Sequence, residues 1–317
     1  MSTTISKTAV DTSNFRSPSF YYRSAREGMR DFLTEADIER RGDVLLPAFI
    51  GWSSREGSGV FDPVRECGFG AEFYDLGATL AADVSSIESK LSAGSVAVVV
   101  VIHYFGRTDP SIAAIRRLCD QHGAILIEDL AHGFFTSFQG GDAGSQGHVR
   151  LYSLHKMFPL NSGGMAVYES DQLVSGQTST APEMAERVLS YNWQAIARKR
   201  RAVFLTIASR LAALPEKDQL FEMMWSQLDE VDVPQTLPVR ILGGNRDAIY
   251  EALNAQGYGM VSLYHTLIRE IGESDQFASM NELSRRIINF PVHQDVDLEA
   301  IKGLVDAFQA CLHSVAV

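Results

Sequence analysis

The chain has 317 residues, 45% of them hydrophobic and 21% charged, a balance that excludes a disordered, collagen-like or rod-like chain. Its 39 acidic residues against 28 basic ones give a formal net charge of -11, which disfavours nucleic acid and anionic membranes as partners. No apolar run reaches membrane-spanning length, the Ser- and Thr-rich N-terminus lacks the apolar stretch of a signal peptide, and Cys67, Cys119 and Cys311 lie far apart, as in a reduced, cytoplasmic protein.

Residues 1–19 are polar and open no regular element. The pattern then predicts a helix over 22–32, a turn at Arg40-Arg41-Gly42-Asp43 and a strand over 44–50. A helix over 61–67 and a strand over 72–76 follow. Asp83 is placed to cap the helix that carries Ile87 and Leu91. The largely β-branched run 96–103 predicts a strand buried on both faces. Pro110 suits a helix start, with Ile112, Ile115 and Leu118 at helical spacing. The strand over 124–127 ends at Glu128-Asp129, and two more strands are expected over 149–154 and 164–168. Helical pattern dominates 181–214, with a basic turn at Arg198-Lys199-Arg200-Arg201. Beyond it come a strand over 238–242, a helix over 247–253 stopped near Gly257, and a terminal amphipathic helix over 298–312. Alternating strands and helices predict an α/β protein with a mostly parallel sheet between helices. The change in character divides the chain into a large domain, 1–205, and a smaller C-terminal α+β domain, 206–317.

Three features carry chemistry. Asp129 closes an apolar strand, where open parallel sheets bind ligands; a helix cap or turn would also account for it. Lys156 follows a strand-like run among apolar neighbours, and desolvation there would lower its amine pKa and suit it to Schiff-base chemistry; a solvated surface lysine is the plain alternative. Arg23-Ser24-Ala25-Arg26-Glu27-Gly28 opens a helix whose free amides, hydroxyl and guanidinium could hold a phosphate, although it is neither a Walker loop nor a dinucleotide fingerprint. One cofactor needs all three. Pyridoxal 5'-phosphate requires a lysine for its aldehyde, an anion pocket for its phosphate and a carboxylate for its ring nitrogen.

These segments resemble the DegT/DnrJ/EryC1/StrS family of fold-type-I pyridoxal phosphate enzymes, the nucleotide-sugar aminotransferases. The carboxylate segment is similar to Ile127-Glu128-Asp129-Leu130-Ala131-His132, and the lysine segment resembles Tyr152-Ser153-Leu154-His155-Lys156 followed by Asn161-Ser162-Gly163-Gly164. Leu46-Pro47-Ala48-Phe49, Val101-Ile102-His103-Tyr104-Phe105-Gly106, Tyr191-Asn192-Trp193 and Ile288-Asn289-Phe290-Pro291-Val292-His293 extend the likeness to about residues 20–313. The resemblance implies a seven-stranded sheet, with Lys156 as the Schiff-base lysine and proton carrier, Asp129 at the ring nitrogen and His132 close to the ring. Ser24, Ala25, Arg26 and Ser153 would meet the phosphate, and Asn192 would reach the phosphate of a neighbouring subunit in a homodimer. Trp52, with Phe49 behind it, is the expected ring-stacking aromatic.

The implied reaction moves an amino group from an amino-acid donor, usually glutamate, to a keto sugar or related small carbonyl compound. Another reaction of the same cofactor (lyase, decarboxylase or substitution) and a non-catalytic binding relative remain alternatives. The sequence also departs from the family. Only Leu154 and His155 separate Ser153 from Lys156, the region before Tyr22 is short, and 195–201 replaces the usual pattern after Trp193. Retention of the lysine argues against the dehydratase branch, where histidine stands in its place. His155 would point away from Lys156 if the segment were extended. Arg198 to Arg201 read as a solvated helix face or as charge for a nucleotide diphosphate. Arg240, His265, Arg269 and Arg285 are further candidates for a substrate contact.

Overall fold

The structure, a computed structural model, describes residues 17–35 and 42–314. In chain order its regular elements begin with β1 (Ser19–Tyr22), α1 (Ala25–Glu35), β2 (Asp43–Pro47), α2 (Phe61–Glu66), β3 (Ala71–Tyr74), α3 (Val84–Ser92), β4 (Val96–Ile102), α4 (Ile112–His122) and β5 (Ile125–Asp129). Then come β6 (Val149–Ser153), α5 (Leu154–Met157), β7 (Gly164–Tyr168), α6 (Met184–Leu189) and α7 (Trp193–Ala212). The last third holds β8 (Phe221–Met223), β9 (Thr236–Ile241), α8 (Arg246–Ala255), α9 (Arg269–Gly272), α10 (Ala278–Arg286), β10 (Ile287–Pro291) and α11 (Ala300–Ser314).

Seven strands form one sheet in the order β1-β7-β6-β5-β4-β2-β3. β6, β5, β4, β2 and β3 run parallel, and β7 is antiparallel to both of its neighbours. The expected mostly parallel sheet is therefore present. β4 shows why it sits between layers: Val98 and Val100 face one apolar cluster, Val99 and Val101 face another, and all four are fully buried. Asp83 caps α3 by accepting from the amides of Ser85 and Ser86 at 2.9 and 3.2 Å, as its position in the sequence suggests.

A second, antiparallel sheet, β10-β9-β8, has its own apolar cluster built with α7, α8 and α11. Two expectations need correction. Tyr22 does not begin a helix: it pairs with Gly164 in β1, and the helix starts only at Ala25. Arg198 to Arg201 do not form a turn but lie inside α7. The turn expected at 40–43 falls partly outside the described residues, as does most of 1–19.

Candidate active site

The chain order of the parallel strands reverses between β2 and β4, and a crevice opens outside the carboxyl ends of strands at such a point. A cavity of about 640 Å³ lies there. Segments following β2, β4, β5 and β6 line it, together with the start of α1 and residues 262–265. A second cavity, of about 630 Å³, lies beside α10 and the start of α8, lined by Arg246, Arg285 and Arg286 among others. Size does not separate the two. Chemistry does, because Asp129, His132 and Lys156 all line the first.

Successive residues of a strand face opposite ways, which splits the acidic pair that ends β5. Glu128 is fully buried against His103, 2.7 Å from its Nε2, and accepts from the amides of Gly144 at 2.7 Å, Gln146 at 2.9 Å and Gly147. Asp129 faces the cavity and accepts from the Ala131 amide at 2.8 Å. Burial raises the Asp129 carboxyl above its ordinary value, although the Ala131 amide and the charge of Lys156 oppose this.

Lys156 stands on α5, the helical turn that directly follows β6. It reaches solvent through the open cavity, yet protein surrounds it. That crowding lowers its amine below the ordinary value, while Asp129 and Glu56 pull it back up. Its Nζ lies 3.4 Å from Nε2 of His132. The other ring nitrogen of His132, Nδ1, accepts from the Phe105 amide at 3.3 Å. Burial holds this imidazole well below its usual pKa, so it is neutral and carries its proton on Nε2. An N–H aimed at the lysine favours the uncharged amine, whose lone pair can accept it.

The first turn of α1 forms another wall. Ser24 Oγ accepts from the Glu27 amide at 3.2 Å, and the amide of Arg23 donates to Glu27 at 2.9 Å. Among the described residues no hydrogen-bond partner engages the amides of Ala25 and Arg26, as expected for the first turn of a helix. Arg26 is steadied by the Glu56 carbonyl and lies 4.0 Å from Asp62. Gly164 makes this wall possible. A Cβ there would stand 2.1 Å from the Ser24 carbonyl carbon and 2.3 Å from the Ala25 nitrogen, so only glycine lets β7 press against the helix end.

The sequence pattern of the DegT/DnrJ/EryC1/StrS aminotransferase family matches residues 23–179, the stretch that holds the α1 terminus, Asp129 and Lys156. The chain belongs to the DegT/DnrJ/EryC1/StrS family. A GDP-perosamine synthase of Vibrio cholerae is 30% identical over 140 residues, 43% of this chain and 36% of that protein. An L-glutamine:2-deoxy-scyllo-inosose aminotransferase of Streptoalloteichus tenebrarius is 34% identical over 97 residues, 30% of this chain and 22% of its own. These matches thus span well under half of each curated relative. The crystal structure of an aminotransferase from Psychrobacter cryohalolentis superposes with a TM-score of 0.78 at 17% identity, covering 95% of this chain and 88% of that one. A sugar aminotransferase of Streptococcus pneumoniae, Spr1654 in its PLP form, gives 0.75 at 12% identity, covering 95% and 89%. The fold is that of the family, fold type I.

Eight of the residues assigned from the sequence to this DegT/DnrJ/EryC1/StrS site line the cavity: Ser24, Ala25, Arg26, Trp52, Asp129, His132, Ser153 and Lys156. Asn192 does not. It is exposed at the N-cap of α7, accepting from the Ala195 amide at 3.0 Å. His155 requires a correction. Because 154–157 is a helical turn and not extended chain, His155 lines the cavity together with Lys156. Arg200 requires another: it is buried, not on a solvated face, and donates to the carbonyls of Met157 and Val292 at 3.2 Å each. Of the further candidates, His265 lines the cavity, whereas Arg240 pairs with Glu222 and Arg269 with Glu273. Tyr264 was not foreseen, and no periodic or capping signal marks it in the sequence.

Proposed function

We propose that the protein is a pyridoxal phosphate-dependent aminotransferase that takes an amino group from an amino-acid donor, glutamate first among them, and gives it to a keto sugar or related small carbonyl compound. One observation carries this reading: Lys156, Asp129, His132 and the open first turn of α1 surround a single cavity. The donor set fits the cofactor. The α1 terminus that Gly164 allows to close against β7 suits a phosphate, and Asp129 suits a protonated ring nitrogen. The names of the similar proteins favour transamination over the other reactions of this cofactor.

When bound, pyridoxal phosphate supplies an aldehyde that reacts with amines and a ring that accepts an electron pair. This chain's residues do the rest. The amides of Ala25 and Arg26, with Ser153 and the Arg26 guanidinium, bind and orient the phosphate. Asp129 holds a proton at the ring nitrogen, and the positive charge there overcomes the burial that raises its carboxyl. His132 keeps the Lys156 amine neutral and directed into the cavity. The same amine would then take a proton from the donor's α carbon and carry it away from that carbon, as a general base with a lowered pKa does.

The reading extends to the whole protein. The two sheets with their apolar clusters would be separate domains divided near 205/206, within α7. The enzyme would be a cytoplasmic homodimer, in which Asn192 serves the partner's phosphate. Three free cysteines agree with a reducing compartment, and among the described residues no helix is long and apolar enough to cross a membrane.

The test is direct. Protein given pyridoxal phosphate should turn yellow, and borohydride should fix the cofactor's mass on Lys156. Glutamate added to the unreduced holoenzyme should give 2-oxoglutarate and aminated cofactor in equal amounts. K156A should lose turnover altogether. Cofactor mass on another lysine, or normal turnover by K156A, would overturn the assignment.

A further inference from the structure

The sequence offers Trp52 as the aromatic against the cofactor ring and Phe49 behind it. The two are placed differently. Trp52 is 44% exposed at the mouth of the cavity, and Phe49 is fully buried beneath another ring. That ring is Tyr264, stacked on Phe49 at 5.2 Å between centroids and 26° between planes. Tyr264 comes from the loop between α8 and α9 and lines the cavity with Asp129 and Lys156.

Its placement is over-determined. The backbone at Tyr264 has φ of 58°, a conformation that a bulky side chain adopts only when its surroundings impose it. On one flank, Val261 donates to the Asn289 carbonyl at 2.9 Å, and Asn289 Nδ2 donates to the Leu263 carbonyl at 3.3 Å. On the other, the Trp52 amide donates to Thr266 at 3.0 Å and the Ile268 amide to Ile50 at 2.9 Å. The loop is thereby fastened to β10 on one side and to the segment after β2 on the other. Tyr104, Phe105 and His132 surround the ring at 5.3, 5.5 and 6.0 Å. Gly51 completes the slot, because a Cβ there would lie 3.2 Å from Cδ1 of Tyr264.

We propose that Tyr264 is the aromatic wall of the cofactor pocket, so that a residue from the β8–β10 part of the chain completes a site otherwise built on the seven-stranded sheet. This rests on the pyridoxal phosphate reading above. The ring has the flat apolar face that stacking needs, and Tyr264 lines the cavity together with Asp129.

Titration with pyridoxal phosphate, followed by the visible band, tests the idea. Y264F keeps the ring and should bind within about threefold of wild type, whereas Y264A should bind about tenfold more weakly or worse and shift the band. G51A leaves Tyr264 in place but pushes on its ring, and should weaken binding in the same direction. Circular dichroism and thermal melting identify the variants that fold. A folded Y264A or G51A with wild-type affinity and an unmoved band overturns this inference alone. Wild-type protein that takes up no cofactor overturns both it and the functional reading.

Discussion

Glu128 and Asp129 are chain neighbours with opposite fates. The first is consumed by structure: burial alone would raise its carboxyl, but the His103 hydrogen bond and charge and the amides of Gly144 and Gly147 hold it low. The second is made harder to ionise by burial, and this has a measurable sign. The folded pKa of Asp129 lies above its unfolded value of about 3.9, so ionisation costs stability at every higher pH. D129N should therefore melt above wild type at pH 7 when both are free of cofactor. The gain should vanish below about pH 4, where wild type carries the proton in both states. Melting curves across about pH 3 to 7, which span the titration of the unfolded carboxyl at about 3.9, would show it. A gain that persists at low pH would mean that something other than the charge is at work. Gly164 makes a second prediction. The atoms a Cβ would strike are backbone and cannot swing aside, so G164A should cost about 1–3 kcal/mol in urea unfolding and weaken phosphate binding at α1. Asp129 and Lys156 were legible in the sequence because one closes an apolar strand and the other sits among apolar neighbours, where a charged side chain stands out. Tyr264 was not, since one tyrosine among loop residues gives no pattern, and its role depends on a glycine more than 200 residues earlier.

Among elements, boundaries were harder to read than existence. β4 was legible because a β-branched run buried on both faces has few alternatives, and α3 because Asp83 caps it. β1 is not among the predicted elements, and the sequence reads its last residue, Tyr22, as the start of a helix. Tyr21 and Tyr22 satisfy a helical pattern as well as a strand one, and only pairing with Met165 and Gly164 decides. β8 has three residues and no periodicity to show. The turn bearing Lys156 was misread as extended chain for a related reason: α5 spans only 154–157, too short to register a period. Its support comes from α7. The guanidinium of Arg200 is buried, meets the carbonyls of Met157 and Val292 and the Gln294 side chain, and lies 5.5 Å from the Phe135 ring centroid. No carboxylate is among these partners, and burial lowers the guanidinium to about 10. R200A should cost about 3 kcal/mol or more, because two buried carbonyls lose their donors at roughly 1–3 kcal/mol each. R200K keeps a charge but not the planar fork, and should fall between. Urea unfolding ranks the three proteins. Cofactor affinity should follow the same order if Arg200 holds the Lys156 turn in place.

At the scale of the whole molecule, α7 links two apolar clusters. Ala197 near its start packs with Phe134, Phe158 and Met165 beside the seven-stranded sheet, while Val203, Phe204, Ile207 and Leu211 pack on the β8–β10 sheet. The division proposed at 205/206 thus falls in a helix that belongs to both sides. A rigid link of this kind transmits position, and the Tyr264 loop needs that, because it must meet residues 50–52 in one register. Ala202 lies at the midpoint and is only partly buried, so changing it disturbs the link more than either cluster. Proline there removes a helical hydrogen bond and clashes with the preceding turn, at a cost of about 3 kcal/mol or more. Wild type should unfold in urea with coincident transitions by far-UV circular dichroism and tryptophan fluorescence. A202P should lose that coincidence, with the β8–β10 part opening first, because its sheet has three short strands and a smaller apolar cluster. Cofactor should dissociate with this first step if Tyr264 walls the pocket, since opening carries the loop away while Lys156 and Asp129 stay on the larger sheet. Release only at the second step would leave α7 as a structural link but assign the cofactor to the seven-stranded sheet alone.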